Sequence, residues 1–219
     1  MTPLLLGHRG ARAVRQIPEN TLASFELCLQ HGCDGFEFDV RLSSDGQVVV
    51  CHDPMAHGME IAETSASDLA LPTLDEVFRQ FSSRAFLDIE LKVGGLEKQV
   101  VELLSRYPPQ KGYLVSSFLL EVLRGLHGVD ASVPLGFLCE ERNEIERWRE
   151  LSVAWVLPRW DLVDRELGDQ VKAAGKKVMV WTVNRPKQMR QLAEWGVDGV
   201  ITDNTELAIL ASTLNFDSF

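Results

Sequence analysis

Short apolar runs alternate with amphipathic stretches along most of this chain. The apolar runs are rich in Val, Ile, Leu and Phe, which predicts strands covered on both faces. Predicted strands span residues 4–8, 86–91, 113–117, 134–139, 154–158, 177–183 and 199–202, with two more in the stretch 35–53. Between them, apolar residues recur at intervals of three and four, which predicts helices packed on a sheet. Predicted helices span residues 21–31, 72–81, 96–107, 119–126, 142–151, 163–174, 186–195 and 206–214.

Residues 35–53 predict a β-hairpin. Two β-branched arms flank Asp45-Gly46, a dipeptide that favours a two-residue type I′ turn. Pairing across that turn places Asp39 opposite His52, with both side chains on one face. Glu37 shares this face, because side chains alternate along a strand. Two carboxylates and an imidazole are therefore expected to converge on one patch.

The number of strands favours a closed barrel. The apolar runs are one more than an eight-stranded barrel requires. The hairpin accounts for the difference: only a short turn separates Val40 from Val48, whereas parallel neighbours need a crossover of about a dozen residues or more. The second arm must therefore run antiparallel, as the returning half of an extension of strand two. Eight βα units remain.

We therefore expect an α/β fold with a single TIM-type (β/α)8 barrel over residues 1–214. A short insertion at 54–71 would follow the hairpin, and residues 215–219 would form a C-terminal tail. At the start of the first helix, Asn20 or Thr21 is expected as the N-cap. An open doubly wound sheet is the alternative, but no Gly-x-Gly-x-x-Gly follows any predicted strand.

Composition and charge add a few constraints. The formal net charge of −10 argues against a nucleic-acid partner, because phosphate binding needs a basic surface. No apolar run approaches the ~20 residues of a membrane-spanning helix, and the first residues lack the basic start of a secretory signal. We therefore expect a cytoplasmic protein without membrane insertion. The sequence leaves open whether it is a monomer or a homodimer.

Polar residues gather where the predicted strands end. In a β/α barrel, the active site lies at the carboxyl ends of the strands. The polar residues at these ends are His8 and Arg9 on the first strand, Glu37 and Asp39 on the second, His52 and Asp53 on its return arm, Asp88, Glu90 and Lys92 on the third, Trp181 and Asn184 on the seventh, and Thr202, Asp203 and Asn204 on the eighth.

Three of these carboxylates predict a metal site. Glu37, Asp39 and Glu90 would repel one another at adjacent strand ends unless a cation lies between them. Ligands that are all oxygen favour a hard ion, so a divalent cation, Mg²⁺ or Ca²⁺, is expected rather than zinc.

Positive and titratable side chains are expected beside the carboxylates. A cation together with Arg9 and Lys92 suits a phosphate ester. His8 and His52, on different strands, suit acid–base catalysis near neutral pH, with one removing a proton and the other protonating the leaving oxygen.

Eight short motifs are spread in order over nearly the whole chain. They are HRG at 8–10, PENT at 18–21, ExDV at 37–40, DGQVVVCHD at 45–53, LPTLDEV at 71–77, DIELK at 88–92, WTVN at 181–184 and GVDGVITD at 196–203. With these motifs the chain resembles the glycerophosphodiester phosphodiesterase family, whose barrel is shared with phosphatidylinositol-specific phospholipase C.

The resemblance implies a reaction and a role for each matching position. A glycerophosphodiester would be cleaved to sn-glycerol 3-phosphate and an alcohol: the glycerol 2-hydroxyl would attack phosphorus, and a cyclic phosphate would then be hydrolysed. The implied metal ligands are Glu37, Asp39 and Glu90, the acid–base pair is His8 and His52, the phosphate-binding residues are Arg9 and Lys92, and Glu19 supports the site from the loop after the first strand.

The residues leave the substrate preference and two side-chain roles open. The family usually continues after His52-Asp53-Pro54 with Arg-Thr-Thr and a longer insertion, whereas residues 54–71 are short and lack that signature. Since loops over a barrel mouth commonly set specificity, the preferred alcohol is undetermined. Asp53 either caps the turn before Pro54 or orients His52. Trp181 either packs in the core or lines a pocket for glycerol or the headgroup.

Two other functions are alternatives to the hydrolase. One is a lyase that stops at the cyclic phosphate, as the related sphingomyelinase D toxins do. The other is a catalytically silent barrel that binds a phosphodiester or a protein partner. The residues also leave open which histidine acts as the base.

Overall fold

The structure, a computed structural model, describes residues 2–208. Its strands are β1 (Leu4–His8), β2 (Gly35–Leu42), β3 (Val48–Val50), β4 (Met55–Ala56), β5 (Met59–Glu60), β6 (Phe86–Leu91), β7 (Tyr113–Ser117), β8 (Leu135–Cys139), β9 (Trp155–Pro158), β10 (Lys177–Val180) and β11 (Gly199–Thr202). Its helices are α1 (Leu22–Gln30), α2 (Ala66–Leu69), α3 (Leu74–Phe81), α4 (Glu97–Arg106), α5 (Leu120–Val129), α6 (Arg165–Ala173) and α7 (Pro186–Glu194).

Eight of these strands form a closed parallel barrel. Around the ring the order is β1, β2, β6, β7, β8, β9, β10 and β11, and β11 pairs with β1 to close it. β3 lies outside the ring and runs antiparallel to β2. The predicted TIM-type barrel with a hairpin extension of strand two is therefore confirmed.

Alternation along the strands separates two apolar cores. Outward side chains pack under the helices; Phe36 of β2, for example, stacks on Phe25 of α1 with ring centroids 4.2 Å apart. Inward side chains fill the barrel, and this cluster consists of Leu6, Phe86, Leu114, Leu138, Trp155, Leu157, Met179 and Ile201. Two positions beyond Leu6 stands His8, so the apolar filling gives way to polar groups at the carboxyl ends of the strands.

The predicted register of the hairpin is wrong by one residue. Val40 pairs with Val50, so Asp39 lies opposite Cys51, whose backbone N–H donates to the Asp39 carbonyl at 3.0 Å. His52 is one residue further on, beyond the last ladder pair. It reaches the site from the segment that follows β3 and not from a position directly across from Asp39.

The cause of the register error is the length of the hairpin loop. The loop has three residues, and Ser43 and Gln47 close it with a backbone hydrogen bond of 3.0 Å. Asp45 accepts a hydrogen bond from the Ser43 hydroxyl at 2.6 Å, and Gly46 has a φ of 78°. A turn followed by a left-handed glycine is the usual three-residue hairpin, and Asp-Gly serves it as well as it serves the two-residue turn.

The predicted helix at 142–151 forms a shorter, tighter helix than expected. It is a 3₁₀-helix over Ile145–Glu150. Arg149 donates to Glu146 at 2.5 Å within it. Side chains three residues apart eclipse one another in a 3₁₀-helix, and the pair of Arg149 and Glu146 has this spacing.

Helix α1 begins where the sequence predicts it. Thr21 is the N-cap, because its side chain accepts from the Ser24 N–H at 3.2 Å; Asn20 serves another purpose, described below. The predicted helix at 206–214 lies largely, and the tail at 215–219 wholly, outside the described residues. Within the described part, none of the helices combines the length and apolarity needed to cross a membrane.

We predict that Gly35→Ala severely destabilises the barrel. A Cβ at Gly35 would lie 1.8 Å from the Phe86 carbonyl oxygen on the neighbouring strand β6, and that backbone cannot withdraw without opening the ring. The free energy of unfolding in urea should fall by at least about 3 kcal/mol.

Gly128→Ala is the matched control. A Cβ at Gly128, in the last turn of α5, meets nothing within 4 Å. This variant should be slightly stabilised, by less than about 1 kcal/mol. Equal stability of the two variants would contradict the close packing assigned to Gly35.

Candidate active site

Four of the predicted site residues meet at the mouth of the barrel, on three adjacent strands. β1, β2 and β6 are neighbours in the ring, and their register aligns His8 with Glu37 and Asp39 with Glu90. Aligned residues of parallel neighbours lie side by side and point to the same side of the sheet. The barrel interior therefore receives all four side chains at its carboxyl-terminal mouth.

Glu37, Asp39 and Glu90 form a buried acidic cluster. One carboxylate oxygen from each lies within 4.8 Å of the other two, and no more than 7% of each residue is exposed. Glu37 Oε1 and Asp39 Oδ1 have no hydrogen-bond partner among residues 2–208. Buried oxygens without partners are costly, and three oxygens at this spacing suit a hard divalent cation. The donor set therefore fits the predicted metal site.

Burial and mutual repulsion raise the pKa values of the acidic groups. Burial, and then the charges of the neighbouring carboxylates, raise the pKa of Glu37 well above its ordinary value. The same causes raise the pKa of Glu90 to about 7. Asp88 is fully buried next to Glu37 on β6, and burial raises its pKa to about 8. A cation would favour the ionised form of these groups.

Two basic side chains border the acidic cluster. Lys92 Nζ lies 2.6 Å from Glu90 Oε1 and 3.5 Å from Asp39 Oδ1. Arg9 Nε lies 3.2 Å from Asp39 Oδ2. Burial opposes the ionisation of Asp39, but the charges of Arg9 and Lys92 outweigh burial and lower its pKa. Asp39 is therefore the most firmly ionised of the three carboxylates in the acidic cluster.

The loop between β1 and α1 wraps around the carboxylates. Arg9 and Asn20 both have left-handed backbones, with φ values of 52° and 56°, a conformation that is uncommon outside glycine. The Arg9 N–H donates to Glu37 Oε2 at 3.0 Å, and the Asn20 amide donates to Asp39 Oδ2 at 2.8 Å. This loop fixes one oxygen of each carboxylate, and the second oxygen of each remains available to a ligand.

His8 lies between the acidic cluster and the last strand. Its Nε2 is 3.9 Å from Glu37 Oε2, and its Nδ1 is 2.7 Å from Asp203 Oδ1. Burial opposes the ionisation of Asp203, but the hydrogen bond and the charge of His8 outweigh burial and lower the pKa of Asp203.

His52 has a carboxylate partner of its own. Its Nδ1 lies 2.7 Å from Asp53 Oδ1, which favours the second of the two roles considered for Asp53, the orientation of His52. Burial lowers the pKa of His52, although Asp53 and Asp39 act in the opposite direction. The Asp53 side chain is 73% exposed, so this pair is far more open to solvent than His8 and Asp203.

Glu19 and Trp181 lie at the rim of the site. Glu19 accepts from Arg9 Nη1 and from Arg12 Nε, each at 2.6 Å, so it holds the loop in place from outside. The Trp181 Nε1–H donates to the Leu157 carbonyl at 2.7 Å. The Trp181 ring makes an edge contact with Phe118, whose centroid lies 5.5 Å away. Trp181 thus belongs to an aromatic wall of the mouth.

Sequence reasoning overlooked the residues that support the others. The position of Asn20 is typical of a helix cap, yet its side-chain amide donates a hydrogen bond to Asp39. Asp203 and Asn184 stand at predicted strand ends. That position is the sequence signal for a site residue, but it indicates no specific role for either of them. Arg12 shows no pattern at all, and it lies 3.2 Å from Asp203 Oδ1.

Comparison with known proteins places this geometry in context. The model of the glycerophosphoryl diester phosphodiesterase family matches residues 8–88 and 61–207. A glycerophosphodiester phosphodiesterase of Caldanaerobacter subterraneus subsp. tengcongensis is 30% identical, over 95% of this chain and 97% of that protein.

Solved structures agree with the sequence comparison. The crystal structure of a glycerophosphodiester phosphodiesterase from Thermotoga maritima has a TM-score of 0.82 and 29% identity, covering 96% of this chain and 98% of that one. An Oleispira antarctica phosphodiesterase in complex with the product sn-glycerol-3-phosphate has a TM-score of 0.84 and 28% identity, covering 97% and 98%. The family model, the sequence relatives and the solved structures agree: the chain belongs to the glycerophosphoryl diester phosphodiesterase family.

Proposed function

We propose that this protein hydrolyses glycerophosphodiesters to sn-glycerol 3-phosphate and an alcohol, with a divalent cation and two histidines at the mouth of the barrel. The observation that carries the proposal is the buried cluster of Glu37, Asp39 and Glu90, flanked by His8 and His52. Membership in the family supports the reaction class, and the product in the Oleispira antarctica structure is the one expected here.

The cluster supports cation binding because its charges are otherwise poorly compensated. Bound between Glu37, Asp39 and Glu90, a divalent cation would supply positive charge to the phosphoryl oxygens. Lys92 and Arg9 border the same space and would hold the phosphate as well. Nε and Nη1 of Arg9 lie close to carboxylates. A guanidinium has five N–H donors in all, so these two contacts do not use every donor.

The two histidines would divide the proton transfers. In the first step, one imidazole takes the proton of the glycerol 2-hydroxyl, whose oxygen forms a new bond to phosphorus. The bond from phosphorus to the alcohol oxygen breaks, and the other imidazole protonates that oxygen. In the second step, a water molecule adds to phosphorus with the roles reversed, and the ring bond to the 2-oxygen breaks. His8 and His52 suit these roles because each holds Nδ1 against a carboxylate.

We predict release of glycerol 3-phosphate from glycerophosphocholine, glycerophosphoethanolamine or glycerophosphoinositol in the presence of Mg²⁺ or Ca²⁺. EDTA should abolish the release, because the carboxylate cluster then has no cation. Phosphorus NMR of the products separates the two enzymatic outcomes, since only a hydrolase ends at the phosphomonoester. A cyclic phosphate as the final product would show that the protein is a lyase and not a hydrolase. No turnover of any diester would contradict the proposal.

We predict that His8→Ala and His52→Ala each lower kcat at least ~100-fold, the range expected for loss of a general acid or base. Neither imidazole belongs to the proposed ligand set, so cation affinity measured by calorimetry should stay within about threefold of wild type. His127→Ala, at an exposed position of α5, is the matched control and should keep full activity. Wild-type kcat in either site variant would remove that histidine from the mechanism.

We predict that cation affinity falls as the pH is lowered from about 8 to about 6. The pKa of Glu90 is raised to about 7 and that of Glu37 is raised as well, so protons compete for the same oxygens below neutrality. For each proton that the cation must displace, its apparent affinity falls by up to about tenfold per unit decrease in pH. Calorimetry across this range measures the effect.

Glu90→Gln is the control for the pH series. This variant should bind the cation weakly at every pH, with a flatter pH dependence, because Glu90, one of the two carboxyl groups with a raised pKa, is absent. Constant affinity of the wild type from about pH 8 to about pH 6 would contradict a binding site built on these carboxylates.

A further inference from the structure

Asp203 is placed to control which nitrogen of His8 carries the proton. Asp203 follows β11, which is the strand that closes the ring against β1. Its Oδ1 lies 2.7 Å from His8 Nδ1 and accepts from Arg12 Nη1 at 3.2 Å. An ionised carboxylate can only accept hydrogen bonds. His8 Nδ1 must therefore be the donor, and in the neutral ring the lone pair lies on Nε2, the nitrogen nearer Glu37.

Asn184 fixes the orientation of the Asp203 carboxylate. Its Oδ1 accepts from the Asp203 N–H at 2.9 Å and from the Thr202 hydroxyl at 3.1 Å. With its oxygen turned to these two donors, the amide has to turn its Nδ2 to Asp203 Oδ2, at 2.7 Å. Both oxygens of Asp203 are thus committed as acceptors, one to Asn184 and one to His8.

We propose that Asp203 is a positioning residue that holds His8 in the tautomer with the proton on Nδ1, and that Asn184 orients Asp203 for this task. The inference rests on the proposed function in one respect, the role of His8 in proton transfer. The opposite tautomer would point an N–H at the substrate, and the neutral ring could not accept a proton there. In serine proteases, replacing the comparable aspartate by asparagine leaves the geometry intact but selects the wrong tautomer.

The second histidine lacks this arrangement. His52 contacts Asp53 at the same distance, but the Asp53 side chain is 73% exposed, against 24% for Asp203. Water can therefore compete with His52 for the Asp53 carboxylate, whereas Asn184 and Arg12 hold the Asp203 carboxylate in place. Of the two histidines, His8 is therefore the one whose tautomer the protein holds more firmly.

The variant Asp203→Asn distinguishes the proposal from a merely structural role. In this variant, the new amide oxygen has to accept from Asn184 Nδ2, so the new NH₂ group faces His8 Nδ1. A donor at that place requires a lone pair on Nδ1, which moves the proton to Nε2. The double variant Asp203→Asn with Asn184→Asp reverses the pattern. The carboxylate introduced at position 184 accepts from the NH₂ group introduced at position 203, and the amide oxygen at position 203 again accepts from His8 Nδ1.

Nitrogen-15 NMR of histidine-labelled protein with saturating Mg²⁺ measures the tautomers directly. The five histidines are assigned with single His→Gln variants, and spectra are taken at a pH where the His8 ring is neutral. We expect the proton on Nδ1 in the wild type, on Nε2 in Asp203→Asn, and on Nδ1 again in the double variant. Asp75→Asn, at an ion pair with Arg79 on α3, is the matched control and should leave the His8 signals unchanged.

Kinetics provide the second readout. In Asp203→Asn, kcat should fall ~100-fold or more while KM stays within about threefold, and the double variant should recover at least ~10-fold. Nδ1 protonation in Asp203→Asn, or no recovery in the double variant, overturns the proposal. Because the spectra need no substrate, a protein that shows the expected tautomers but hydrolyses no diester would refute the proposed function and not the role of Asp203.

A replacement variant covers the case in which Asp203→Asn does not fold. Asp203→Ala removes the acceptor, and Arg12 Nη1, at 3.3 Å from His8 Nδ1, becomes the nearest donor to that nitrogen. The proton should again move to Nε2. A His8 ring that keeps its proton on Nδ1 without Asp203 would overturn the proposal.

Discussion

The repulsion among three buried carboxylates is the constraint around which this end of the barrel is organised. Glu37, Asp39 and Glu90 come from two adjacent strands, and burial denies them the screening of water. Each is met by a donor from a different direction: a backbone N–H of Arg9, the amide of Asn20, and the ammonium of Lys92. These donors satisfy one oxygen of each carboxylate, and the cluster as a whole has a spacing that suits a divalent cation.

Much of the fold could be predicted because it follows from local rules. The number of apolar runs and the need for crossovers between parallel strands fixed the eight-stranded ring, and the short turn after Val40 identified β3 as the antiparallel arm. The register of that arm could not be predicted. Asp45-Gly46 suits both a two-residue and a three-residue loop, and the choice depends on the contacts of Ser43. The 3₁₀-helix at Ile145–Glu150 was predicted as an α-helix, because the apolar periodicity of so short a segment does not distinguish the two.

The same division applies to the candidate site. The convergence of the three carboxylates was predictable because the carboxyl ends of barrel strands meet at one mouth, whatever the details of packing. The supporting residues were not, since their roles arise from contacts between distant parts of the chain. Asn20 has the sequence of a helix cap and acts on Asp39 only because the β1–α1 loop folds back over β2. Asp203 meets His8 only because the ring closes.

The closure between β11 and β1 also has a consequence for the order of assembly. The strands that carry Glu37, Asp39 and Glu90 lie in the first part of the chain, before residue 92, whereas Asp203 lies near the end of the described residues 2–208. During synthesis the amino-terminal part emerges first. A ribosome-bound chain can therefore bring the three carboxylates together well before Asp203 is available to contact His8. The contact between His8 and Asp203 therefore forms last, so that only a barrel folded through its final strand carries both the acidic cluster and this pair.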